Sequence, residues 1–153
     1  MARTRVRRAN VTIDDNLNIR KLRGRMEELL QSEVLIGMQG DADLAVIAAV
    51  HEFGSTANNI PARPFISTGR KKAQVAIGKL VRAGVNEIAV GKKTAGELYE
   101  EVGQVGLDRV QKNFDRIKQP PVSPIYARRK ISKKLLVADK ELREALTYKV
   151  VRK

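Results

Sequence analysis

An α+β fold is expected, with a small mixed or antiparallel sheet packed with a long helix and two or three shorter helices, behind an extended basic N-terminal arm. Three features of the sequence predict it. Residues 94–117 place apolar side chains at helical spacing behind a capping motif. Residues 33–38 and 146–151 are short, partly β-branched apolar runs of the kind that form strands. Hydrophobic residues make up 42% of the chain but aromatic ones 4%, with no Trp, so the core is built from Leu, Ile, Val and Ala. Such a core suits helices packed on a small sheet better than a large sandwich. A chain of 153 residues has the size of one domain, assigned to residues 17–153 after an arm at residues 1–16.

Each element has its own reason. The arm is rich in arginine and poor in apolar residues, which leaves it little to bury. Leu17, Ile19, Leu22, Met26, Leu29 and Leu30 recur near helical spacing, with Asp15 or Asn16 as cap. After the strand at 33–38, Asp43 is expected to cap a second helix over 43–53. That helix is apolar almost all the way round, from Leu44 to Val50, and so calls for burial on most sides or against a neighbouring subunit. Residues 65–90 keep a helical rhythm through Val75, Ile77, Leu80, Val81, Val85 and Ile88, but Gly78 and Gly84 interrupt it, so a bent or shortened helix is expected there.

The helix at 94–117 opens on Thr94 and Glu97, a capping box, and carries Leu98, Val102, Val105, Val110, Phe114 and Ile117 on one broad face. Gly103 and Gly106 lie inside it. Each costs roughly 1 kcal/mol relative to Ala, which hints at a close backbone crossing, and tolerance on an exposed surface is an equally simple reading. Pro120, Pro121 and Pro124 stop this helix, and the tail holds a basic segment, a short helix near 139–145 and a last strand.

The net charge is +13, from 30 Lys and Arg against 17 Asp and Glu. An excess of this size favours polyanions or acidic partner surfaces. It is concentrated in an arm of Arg3, Arg5, Arg7 and Arg8, a triplet of Arg70, Lys71 and Lys72, and a group of Arg128, Arg129, Lys130, Lys133 and Lys134. With no Cys, there is no disulfide, thiol catalysis or thiolate metal site. No apolar run approaches the about 18 residues that span a bilayer, and neither a signal peptide nor a membrane helix is read. Candidate enzyme motifs fail on their spacing. His51-Glu52 lacks the second His that a zinc protease needs four positions on, where Ser55 stands. The stretch 84–94 has the wrong glycine spacing for a phosphate-binding loop, and no Gly-x-Ser-x-Gly occurs. No catalytic residue, cofactor or metal site is therefore expected.

What stands out instead is HEFGSTANNIPARPFI, residues 51–66. Gly54 suits the turn just past a helix end, and Pro61 and Pro64 push Ile60 and Arg63 toward extended backbone. The stretch reads as a shaped, exposed loop with too little chemistry for an active site.

An apolar helix ending in His51-Glu52-Phe53-Gly54, a polar loop, and Ile60-Pro61-Ala62-Arg63-Pro64-Phe65-Ile66 resemble the tail-completion and head-to-tail joining proteins of tailed bacteriophages. Residues 134–150, KLLVADKELREALTYKV, resemble the closing motif of the same family. The chain departs from it at Ala138-Asp139-Lys140, where members carry an Asp-Thr-Gly turn. The resemblance covers roughly residues 30–150. It implies a non-enzymatic virion component, made in the bacterial cytoplasm and assembled as a ring, commonly sixfold, between tail and head. Its partners would be other copies of itself and tail-tube, tail-terminator or head-connector proteins. His51, Glu52, Phe53, Arg63 and Phe65 would support the subunit or partner seam, with Phe53 and Phe65 as buried anchors and Arg63 bonded to Glu52. The basic clusters would face packaged DNA through its phosphates, or acidic neighbours. The alternative from charge alone is a non-specific nucleic-acid-binding protein.

Overall fold

Two long antiparallel helices lie side by side, with a two-stranded sheet packed across one of them. In the computed structural model, residues 19–129 and 141–153 are described. The expected arm at 1–16, and with it Arg3, Arg5, Arg7 and Arg8, lies outside those residues, as do Lys130, Lys133 and Lys134. The elements are α1 (Ile19–Glu28), β1 (Ser32–Met38), α2 (Ala42–Phe53), α3 (Ile66–Ala89), α4 (Ala95–Arg116), α5 (Pro124–Arg129), α6 (Glu141–Glu144) and β2 (Leu146–Arg152). The fold is α+β with an antiparallel sheet, as the sequence predicts, and it has two long helices where one was expected.

β1 and β2 pair antiparallel from Ser32 opposite Arg152 to Met38 opposite Leu146. Alternation along the strands turns Ile36 and its partner Tyr148 toward α4, where they meet glycine. A Cβ on Gly106 would lie 2.3 Å from Ile36 Cδ1, and one on Gly103 would lie 2.2 Å from the Tyr148 ring. The close approach hinted at by these glycines is thus made by side chains of the sheet. Leu142 and Leu146 join Ala48, Phe65, Val110 and Phe114 in the main core. Phe65 and Phe114 meet edge to face, 5.2 Å between ring centroids.

α3 corrects the expected bend. It runs unbroken for 24 residues through both Gly78 and Gly84. Packing explains this for Gly84, which is buried and lies against the Leu98 side chain of α4. At the other end of the pair, Gly69 lies against Val110. The C-terminus of α3 also receives a cation, because Arg25 of α1 donates to the Ala89 carbonyl at 3.1 Å.

Two local readings change. The cap of α2 is Asp41, not Asp43: its carboxylate accepts from the N–H groups of Asp43 and Leu44 at 2.8 and 3.2 Å. Asp41 is extended, as a cap must be, whereas Asp43 is already in the first turn. Pro124, expected as a helix stop, is instead the first residue of α5, a position where its missing N–H costs nothing. The capping box of α4 is present in full, with Thr94 N–H donating to Glu97 at 2.8 Å and Glu97 N–H donating to the Thr94 hydroxyl at 3.2 Å.

Candidate functional site

The junction between α2 and α3 is held by hydrogen bonds from within the fold. Gly54 has φ 79°, donates its N–H to the Val50 carbonyl, and leaves no room for a Cβ, which would come within 2.9 Å of Ala62 N and Ile60 O. Ser55 and Ile60 exchange backbone hydrogen bonds at 2.8 Å across the loop tip. The Arg63 N–H donates to the His51 carbonyl at 2.7 Å, and the Thr68 hydroxyl donates to the Pro64 carbonyl. This is a loop of defined shape, which a helix end, two prolines and a positive-φ glycine produce together.

Glu52 is buried and serves the start of α3. Its carboxylate accepts from the backbone N–H groups of Phe65, Ile66 and Ser67 at 2.8, 2.9 and 3.0 Å. Phe65, at the cap position itself, offers no side-chain acceptor, so a side chain from α2 supplies what a local Ser or Asp normally would. Arg63 therefore does not bond to Glu52, as was expected. It is 4% exposed and donates to the Pro120 and Pro121 carbonyls at 2.8 and 3.1 Å. The Glu52 oxygens are taken by the helix N-terminus, and the guanidinium fork fits the paired carbonyls of the proline segment instead.

Phe65 is fully buried, but Phe53, expected as its companion anchor, is 81% exposed. Helical periodicity explains the difference: Ala48 and Glu52, four apart, face inward, and the next residue turns away. His51, on the last turn of α2, is partly buried, with its Nδ1 enclosed. Arg128 and Arg129 are exposed on α5.

The sequence did not single out Asn113. It is buried on α4, donates to the Phe65 carbonyl at 2.8 Å and to the Thr68 hydroxyl at 2.6 Å, and accepts from Lys72 at 2.6 Å. A polar residue on the apolar stripe of a helix was the available signal.

Beside the junction, α2 presents apolar side chains outward. Val46 is 63% and Ile47 46% exposed, and Leu35 of β1 is also exposed. Leu35 and Phe53 line an open apolar groove of about 700 Å³ whose walls come from β1, α2, α3 and α4, among them Ile36, Ala48, Ile66 and Val110, while Val46 and Ile47 project from the rest of the α2 surface. Large apolar side chains grouped this way mark a contact surface. Among the described residues, no group of three or more His, Cys, Asp or Glu side chains could hold a metal, and no helix is long and apolar enough to cross a membrane.

No family model matches the chain. A stretch of 36 residues is 58% identical to an uncharacterized protein of Methanocaldococcus jannaschii, covering 24% of this chain and 27% of that protein. No solved structure matches.

Proposed function

We propose that this chain is a structural, non-enzymatic protein of a phage neck or tail, which assembles as a ring, most simply a hexamer, that completes the tail tube and joins it to the head connector. In this reading it resides in the virion after synthesis in the bacterial cytoplasm, and its partners are other copies of itself and the tail-tube, tail-terminator or connector proteins. The observation that carries the reading is the outward apolar surface of α2, with Val46, Ile47 and Phe53 exposed, together with the apolar groove that Phe53 lines. The occupant of that face is a second copy of the chain. A closed ring needs two different surfaces on each subunit, and the apolar α2 face differs in kind from the basic surface of α5. The resemblance in residues 50–66 and 134–150 supports the same assignment.

In this arrangement the α2–α3 junction acts from inside the subunit, fixing the direction in which α2 projects. Mass measurement of the purified protein, with Ile47→Asp beside it, tests the reading. A ring in the native protein and a smaller species in the variant are expected; a native monomer at every concentration would refute it.

A further inference from the structure

A second cavity, of about 320 Å³, lies where the junction meets the α3–α4 pair. Arg63, Thr68, Lys72, Asn113, Arg116 and Gln119 line it, and no carboxylate is among its lining residues. The two buried members are fixed. Arg63 spends its Nε and one Nη on the Pro120 and Pro121 carbonyls, which sets the plane of its head. Asn113 holds the Lys72 ammonium at 2.6 Å through its Oδ1, while its Nδ2 donates to the Phe65 carbonyl and the Thr68 hydroxyl. Asp115, one residue from Arg116, is paired with Arg143 at 3.2 Å. Three cations from three segments therefore line one recess, two of them held by hydrogen bonds.

We infer that this recess is a phosphate subsite for a nucleic-acid backbone. Guanidinium groups and an ammonium are the groups that bind phosphate oxygens best, Arg through paired N–H groups and Lys as a point charge. The surface continues the match, since Lys79 on α3 and Arg109 and Lys112 on α4 are exposed. Further exposed cations on the two helices that line the recess suit a polymer with a charge on every unit. With no aromatic side chain lining the recess, there is no platform for stacked bases, so contact is with the backbone and independent of sequence. This assignment rests on the recess alone and holds whether or not the protein forms rings.

The test uses the full chain and a short fluorescent DNA duplex, with affinity read by anisotropy over a range of salt. Lys72→Gln with Arg116→Gln removes two charges from the recess, and both new side chains are polar and of similar reach. Arg82→Gln with Lys92→Gln removes the same charge elsewhere on the surface. The recess pair is expected to weaken binding about tenfold and to lower the log–log salt slope by about two, the size of two lost phosphate contacts. The control pair should weaken it less than threefold. Circular dichroism and a melting curve check that each variant is folded, and Arg116→Gln alone, on an exposed residue, keeps the test valid should the double variant unfold. Equal losses in both pairs would overturn the assignment in favour of diffuse attraction, as would a native protein that does not bind DNA. Stronger binding of poly-glutamate than of DNA, with the same dependence on Lys72 and Arg116, would overturn it in favour of an acidic protein partner.

Discussion

Glu52 stands where the first turn of α3 presents three N–H groups, and truncation to alanine would remove the acceptor for all of them at once. Each orphaned, desolvated donor costs on the order of 1 kcal/mol or more, and the favourable charge at the helix N-terminus is lost with them. Glu52→Ala is therefore expected to lower the unfolding free energy by about 3 kcal/mol, read from urea denaturation. Glu52→Gln, which keeps one acceptor oxygen, should lose about half of that. An alanine variant as stable as the native protein would show that the three bonds at 2.8 to 3.0 Å do not support the fold. None of this pairing was legible in the sequence. The three N–H groups lie 13 to 15 residues beyond Glu52, and the Arg63 partners lie 57 and 58 residues away, so only the folded chain identifies them. Phe65 as a buried anchor was expected from the resemblance together with Phe53, and only the folded chain separates the two, Phe65 being buried and Phe53 exposed.

Among the elements, α3 and α4 carry glycines with opposite roles, and substitution distinguishes them. A Cβ on Gly78 meets nothing within 4 Å, so Gly78→Ala should stabilise the protein by roughly 0.5–1 kcal/mol through helix propensity. At Gly103 the same change drives a methyl group into the Tyr148 ring. The tyrosine is tied by its hydroxyl to Glu100 at 2.8 Å, so it is not free to swing away. Gly103→Ala should destabilise by about 1–3 kcal/mol, the usual range for an overpacked contact. Thermal melts of both variants decide this, and shifts of the same sign would refute the assignment. In the sequence Gly78 and Gly84 read as interruptions of a helix and Gly103 and Gly106 as a hint of a close crossing, but that Gly84 is packed while Gly78 faces open space was not legible, because it depends on the neighbour across the packing interface.

The start of α4 makes a pH prediction. Hydrogen bonds from the Thr94 backbone N–H, and then from its hydroxyl, hold the Glu97 carboxyl below its ordinary range. A carboxylate with a lowered folded value contributes stability above its unfolded pKa and loses it as pH falls through the folded one. The native protein should therefore lose more stability than Glu97→Gln as pH drops from neutral through the acid carboxylate range, as measured by urea unfolding. Parallel curves would contradict it. This capping box was legible in full, since its two residues lie three apart, whereas the Asp41 cap was misread by two positions.

At the scale of the molecule, the fold divides its surface by chemistry. The core lies between the sheet, α4 and the start of α3, and the junction there is tied internally rather than left as a free loop. Outside it, α2 faces outward with apolar side chains, and α5 and the recess carry cations. The all-round apolar pattern of α2 was visible in the sequence, and so was the class of fold. Which of its sides stays uncovered was not, since that depends on where β1 and α3 end up. Of the residues first expected to form a seam, Phe53 is on the surface while Glu52, Arg63 and Phe65 are inside. They would act on an assembly by holding α2 in place. The measurement that tests this account most directly is the mass of the native full-length protein in solution, followed across dilution and salt and compared with Ile47→Asp. A closed ring that survives high salt, and that the aspartate reduces to smaller species while the variant stays folded, is the expected result. A folded native protein that remains monomeric throughout, or a ring indifferent to the aspartate, would contradict it.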